Sequence, residues 1–183
     1  DPLRDSSLAG AAAAGPNDVW AFGSVATDRY PIQESQILHW DGQQWGIVPS
    51  PNSLYGADLR AGVLQAGKIW TVGGQDNCCT TEAVTLHWDG TAWTRVATPG
   101  SPSGQLHGIT AISATDIWAV GWREPNSVYT PLALHWNGST WSEVPTPDPQ
   151  PGLTAFFGVD ASSSTDVWAV GFDGDGPYDD TLT

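Results

Sequence analysis

The sequence has no methionine, only six lysines and arginines in total, and just two cysteines, which are neighbours in the chain. Each scarcity excludes something. Against those six bases stand twenty acidic residues, for a formal net charge of −14. That field repels phosphate backbones and anionic bilayers, so nucleic acid and membrane surfaces are poor partners. No stretch approaches the roughly 20 apolar residues of a membrane-spanning helix, and the alanine run Ala11–Ala14 is far too short to be one. Helical periodicity is absent throughout. No nucleophile elbow, phosphate loop or zinc-ligand spacing occurs, so an active site, if there is one, draws on residues scattered over loops.

Cys78 and Cys79 have Cα atoms only about 3.8 Å apart, nearer than the roughly 4.4–6.8 Å of an ordinary disulfide. Two readings stay open: a vicinal disulfide closing an eight-membered ring in an oxidising compartment, or two thiols in a loop. The chain starts at Asp1 without a methionine, which reads as a processed or excised chain. With the acidic, lysine-poor composition, this predicts an extracellular or cell-surface location.

What the sequence does have is tryptophan: eleven residues, ten of them on one repeating ladder. Trp20, Trp70, Trp118 and Trp168 each sit in a version of Asp-Val-Trp-Ala-Val-Gly. Between them recur His39-Trp40, His87-Trp88 and His135-Trp136, each followed by Trp45, Trp93 or Trp141. A fixed period near fifty residues is the signature of stacked repeats or propeller blades. Each unit divides into four short strands. The first is rich in small residues, including Gly10, Gly108 and Gly158, as an innermost strand crowded around a central channel requires. The second is apolar on both alternating faces and therefore buried on both. The third and fourth are joined by Asp41-Gly42, Asp89-Gly90 or Asn137-Gly138, dipeptides suited to tight hairpins.

The predicted fold is all-β: a propeller, or part of one, of four-stranded antiparallel blades at about 48 residues per repeat. Approximate blades run 7–49, 56–98, 105–147 and, partially, 154–183. A β-sandwich is the competing arrangement, but it gives no reason for the ladder. A closed propeller of seven such blades would need roughly 340 residues, so the chain reads as incomplete or as closing through other chains. Left alone it would expose strand edges and an apolar blade face, which invites assembly.

The unit resembles the kelch-type propeller repeat, with Ile69-Trp-Thr-Val-Gly73-Gly74, Trp88 and Trp93 the nearest match. It departs from that pattern where Ser24, Trp122 or Phe172 replaces the second glycine. It also resembles tryptophan-rich repeats of bacterial secreted proteins. Kelch-like propellers include galactose-oxidase-type enzymes and pure binding modules, so the resemblance implies the fold and admits both functions.

Candidate chemistry lies in what differs between repeats. His39, His87 and His135 recur at one strand position, which assigns them a structural role through hydrogen bonds to Asp18 or its equivalents. His107 breaks the pattern on a channel-lining strand. The connections between second and third strands vary most and concentrate aromatics and arginines: Arg29 and Tyr30, the Cys pair, Trp122 and Arg123 with Tyr129, and the acidic run from Asp173. Aromatic area beside Arg, Asp and Asn suits sugar rings or a protein hot spot. Asp173, Asp175 and Asp179 offer clustered oxygen ligands for calcium, although Pro177 and Tyr178 break the EF-hand spacing and a solvated acidic loop explains them as well. Asn137-Gly-Ser139 matches a glycosylation sequon but aligns with the hairpin dipeptides. The expected function is a secreted or cell-surface binding or assembly module for carbohydrate or protein. The alternatives are a propeller-type glycan hydrolase, lyase or oxidase, and a structural subunit that self-associates.

Overall fold

One kind of turn recurs in the first three repeats and decides where the outer pair of strands reverses. In the hairpin between third and fourth strands, Gly42, Gly90 and Gly138 take positive φ of 93°, 107° and 97°, the conformation that favours glycine. The residue before each glycine caps the turn. Asp41 Oδ1 accepts from the amides of Gln43 and Gln44 at 2.8 Å, Asp89 Oδ1 from Thr91 and Ala92, and Asn137 Oδ1 from Ser139 and Thr140 at 3.0 Å. These bonds, from the Ala92 amide first and then from Thr91, pull the Asp89 carboxyl down to about 2. They also give Asn137 a turn-forming role that needs no glycan.

The computed structural model describes residues 6–28, 33–51, 56–77, 79–100, 103–125, 128–146, 154–174 and 180–182. These residues fold into four antiparallel sheets. The first contains β1 (Ser6–Gly15), β2 (Asp18–Ala26), β3 (Gln33–Trp40) and β4 (Trp45–Ile47). The second contains β5 (Asp58–Gln65), β6 (Lys68–Asn77), β7 (Thr80–Trp88) and β8 (Trp93–Val96). The third contains β9 (Gly104–Ser113), β10 (Asp116–Arg123), β11 (Thr130–Trp136) and β12 (Trp141–Val144). The fourth contains β13 (Thr154–Ser163), β14 (Asp166–Asp173) and β15 (Asp180–Leu182). Strands pair in chain order within each sheet, and no α-helix occurs among the described residues.

The first strands β1, β5, β9 and β13 line up side by side, so each sheet is a propeller blade with its first strand innermost. A Cβ on Gly10 would stand 2.7 Å from Ala61 Cα in the next blade, and one on Gly108 would stand 3.1 Å from the Phe157 carbonyl oxygen. Small residues are needed there because backbone meets backbone.

The first and second blades each join the next through the tryptophan ladder. Trp20 on β2 lies 5.3 Å from Trp88 and 5.7 Å from Trp93 of the second blade, between ring centroids. Trp70 on β6 repeats this against Trp136 at 4.8 Å and Trp141 at 5.5 Å of the third. The apolar cores lie between successive sheets: Trp20, Phe22 and Ile37 of one blade with Leu59, Leu86 and Trp93 of the next, then Trp70 and Val72 with Leu106, Leu134 and Trp141.

The recurrent histidines hold the tryptophans in place. Asp18 Oδ1 accepts from both Trp20 Nε1 and His39 Nε2 at 2.9 Å, while the His39 ring stacks on Trp20. Asp116 repeats the arrangement with Trp118 at 3.1 Å and His135 at 2.9 Å. In the second blade Lys68 stands where the carboxylate would be. Burial, helped by the Lys68 charge, lowers the His87 pKa, so that imidazole stays neutral beside Trp70.

Candidate functional site

Every innermost strand carries a β-bulge at the same place. In β1 the pairing with β2 skips from Leu8 to Gly10, in β5 from Leu59 to Ala61, in β9 from Leu106 to Gly108 and in β13 from Phe156 to Gly158. The residues left outside the ladder are therefore Ala9, Arg60, His107 and Phe157. A bulge releases one side chain from the alternating pattern and re-aims it, which is why bulges recur beside functional sites. These four positions are chemically unlike one another on an otherwise repetitive frame, and they lie toward the edge from which the β2–β3, β6–β7 and β10–β11 connections project.

Three of the four build a continuous surface across blades two to four. Trp122 Nε1 donates to His107 Nε2 at 3.1 Å, and Trp122 packs edge-on to Tyr129 at 4.7 Å. His107 meets Phe157 edge-on at 4.9 Å, and Phe157 stacks on Phe172 at 5.5 Å with an interplanar angle of 10°. On the other side Arg60 Nη2 pairs with Asp58 Oδ2 at 2.6 Å, and both charges are felt at His107.

Next to Arg60 opens a polar cleft of about 330 Å³, lined by Gln33, Asp58, Arg60, Asp76, Thr81 and Gln105 among others. It draws on three blades. Thr81 Oγ1 donates to Asp76 Oδ1 at 3.0 Å, fixing that carboxylate at the rim. Arg60 Nε is buried and has no hydrogen-bond partner among the described residues. A buried N–H without an acceptor is costly, and an acceptor entering the cleft would satisfy it.

The His107 pKa is pushed down to about 4, by burial first and then by the Arg60 charge, with Asp58 opposing. Because Nε2 accepts from Trp122, the ring is neutral with its proton on Nδ1, and protonation of Nε2 would break that bond. Above pH about 6.5 His107 is neutral in both folded and unfolded chains and has no effect on stability. Between there and the folded value of about 4 only the unfolded chain takes up the proton, so folding stability falls with pH and then levels off. Urea midpoints measured across this range should fall less steeply in His107→Gln than in the native chain. Parallel profiles would show that His107 is not held neutral.

Of the residues singled out from sequence, His107, Trp122 and Tyr129 come together here. Arg123 does not join them. As the next residue on β10 it faces the opposite side, where Nη1 pairs with Glu143 Oε1 at 2.6 Å and Nε donates to Thr130 Oγ1. Arg29, Tyr30, Cys78, Asp175 and Asp179 lie outside the described residues. Asp173 accepts from Thr154 Oγ1 at 3.4 Å, and Cys79 is exposed. Among the described residues no group of three or more His, Cys, Asp or Glu is arranged to hold a metal ion.

Sequence reasoning missed Arg60, Asp58 and Phe157. Counted back from the ladder tryptophan, Arg60 falls in the column of Gly10, Gly108 and Gly158. That break in the column was the available signal. The structural equivalents of Arg60 are Ala9, His107 and Phe157, because the β5–β6 turn lacks the second register shift seen before Gly15, Ser113 and Ser163.

No family model matches the chain, and no curated protein sequence matches it. Among solved structures it is similar to YCF48 bound to D1 peptide, a β-propeller, with 13% sequence identity and a TM-score of 0.61. The match covers 98% of this chain and 52% of that one, so the chain spans about half the length of that structure. At this identity the likeness shows the fold alone.

Proposed function

We propose that this chain is a protein-binding propeller module that receives an extended peptide segment on the face where the bulge residues converge. The observation that carries this reading is the cleft beside Arg60, with its buried Nε lacking an acceptor among the described residues and the Asp58 and Asp76 carboxylates at hand. A peptide backbone presents carbonyl acceptors and amide donors in alternation, which matches that mixture. The neighbouring Trp122, Tyr129 and Phe157 provide apolar area for side chains. The likeness to a propeller solved with a bound peptide supports the same reading. With a net charge of −14, segments carrying Lys or Arg should associate fastest.

Selection from a phage-displayed pool of random linear peptides tests this. Enriched peptides should bind the native chain, and Arg60→Gln, which loses a charge-assisted hydrogen bond worth about 1.5–3 kcal/mol, should weaken them by about tenfold or more. Trp122→Ala should weaken them too, while Trp168→Ala, on the middle strand of the fourth blade, should not. Enriched peptides indifferent to both Arg60→Gln and Trp122→Ala would remove the cleft from the function. A glycan-array signal lost in the same two variants would replace the peptide with a sugar, whose rings the Trp122 and Tyr129 faces would also fit.

A further inference from the structure

We propose that Asn137 is a modification site: it deamidates to aspartate within its folded hairpin and so acquires the carboxylate that the two preceding hairpins already carry. The inference is independent of the peptide-binding reading, because Trp136 pairs with Ile117 at the opposite end of β10 and β11 from Trp122. Asn137-Gly138 is the one Asn-Gly pair in the sequence, and both residues are exposed. The three hairpins repeat one another bond for bond. The first residue of each donates its amide to the carbonyl of the fourth at 3.3 Å: Asp41 to Gln44, Asp89 to Ala92 and Asn137 to Thr140. In each, Oδ1 of the first residue accepts from the amides of the third and fourth. Paired tryptophans fix the ends of all three, with Trp136 and Trp141 closing the last. An aspartate at 137 therefore has a place ready for it.

The same bonds prepare the side-chain amide for loss. Ring closure begins when the Gly138 nitrogen gives up its proton to solvent and bonds to Asn137 Cγ, while the displaced electron pair moves onto Oδ1. The Ser139 and Thr140 amides already stand 3.0 Å from that oxygen, where they stabilise the developing charge as an oxyanion hole does. Glycine at 138 presents no side chain to the closing ring, and the turn holds Oδ1 with the two amides that follow Gly138. The Cγ–Nδ2 bond then breaks, and the nitrogen takes a proton from water and leaves as ammonia. Thr140 Oγ1, 3.5 Å from Nδ2, is placed to relay that proton. A second water bonds to Cγ, whose oxygen the two amides polarise, and the Cγ–N bond opens, restoring the Gly138 N–H and leaving a carboxylate. Opening at the main-chain carbonyl would instead insert a methylene into the backbone of a hairpin whose ends are fixed. The aspartate, once formed, is protected. The corresponding amides hold the Asp41 carboxyl below its ordinary value, Gln44 first and then Gln43, and those of Ala92 and Thr91 hold Asp89 at about 2. An ionised carboxylate is a poor target for the same attack. Conversion adds one negative charge to the formal −14.

The test is incubation of the native chain in mildly alkaline buffer, folded and in urea, followed by peptide mass spectrometry with electron-transfer fragmentation, which separates aspartate from isoaspartate. In the folded chain Asn137 should convert at least as fast as in urea and ahead of Asn17, which precedes Asp18. The folded product should be mostly aspartate, whereas the unfolded chain, without the turn to direct the water, should yield mostly isoaspartate. Asn137→Asp supplies the product directly and should unfold at no lower urea concentration than the native chain, since charge-assisted hydrogen bonds replace neutral ones. A folded chain that keeps its amide while the unfolded one loses it overturns the proposal. So does a folded product that is mostly isoaspartate, and so does an Asn137→Asp chain less stable than the native one, since the hairpin would then have no place for the carboxylate.

Discussion

Truncating Trp70 to alanine should cost about 3–5 kcal/mol of folding stability, the range for removing a large aromatic from a core, while the same change at Trp168 should stay within roughly 0.5 kcal/mol. The two residues hold the same place in their repeats, so propensity cancels in the comparison; Trp70 has a covering blade, whereas Trp168 has a carboxylate partner instead. Trp70 is enclosed by Trp136 and Trp141 of the third blade and by His87 of its own. With no carboxylate at position 68 to hold its indole, its stabilisation comes from packing. Trp168 keeps its hydrogen bond to Asp166 and is 64% exposed. Unfolding midpoints in urea give the comparison directly. Equal shifts would mean that the blade joints do not hold the arc together.

The parts of this fold that could be read from sequence are those a repeat states several times. The ladder tryptophans, the hairpin dipeptides and the His–Asp partnership each recur, and recurrence separates a structural requirement from accident. Hence the blades, their turns and the supporting role of His39 and His135 were legible. His87 departs only because Lys68 replaces the carboxylate, a difference visible in the sequence. Part of the candidate site was legible through residues that break the repeat: His107 on a strand of small residues, and Trp122 and Tyr129 off the ladder. Their meeting was not legible, because it depends on the bulges. A bulge inserts a residue that pairs with nothing, so no periodicity marks it, and in the second blade a shorter turn shifts Arg60 into the glycine column. Phe157 reads in sequence as an ordinary inner-strand residue, and it meets His107 because β9 and β13 lie side by side. Arg123 was drawn in by its neighbour, although strand alternation places it on the other side.

The glycine that ends each Asp-Val-Trp-Ala-Val-Gly run ties these bulges to stability, and Gly121→Ala should be severely destabilising for that reason. A Cβ there would overlap the carbonyl oxygen of Gln105, as it would at Gly23 with Ser7, at Gly73 with Asp58 and at Gly171 with Ala155. In each blade the obstacle is the backbone of the innermost strand just before its bulge, which cannot rotate aside like a side chain. Overpacking of a core typically costs about 1–3 kcal/mol, and with a rigid obstacle the cost should reach about 3 kcal/mol or more. Gly15→Ala is the matched control: nothing lies within 4 Å of its added Cβ and its φ is not positive, so it should be neutral or stabilise by up to about 1 kcal/mol. The same clash has a local consequence. To admit the methyl group, Gln105 and Leu106 must move away from β10, carrying His107 away from Trp122. The His107 pKa, now about 4, should then rise toward the ordinary value near 6.5, as an NMR titration of the folded variant would show. A Gly121→Ala chain as stable as Gly15→Ala, or one whose His107 still titrates near 4, would mean that the glycine does not hold the bulge in place. Loss of stability together with a rise in that pKa would show one residue of the repeat supporting both the blade and the aim of the site.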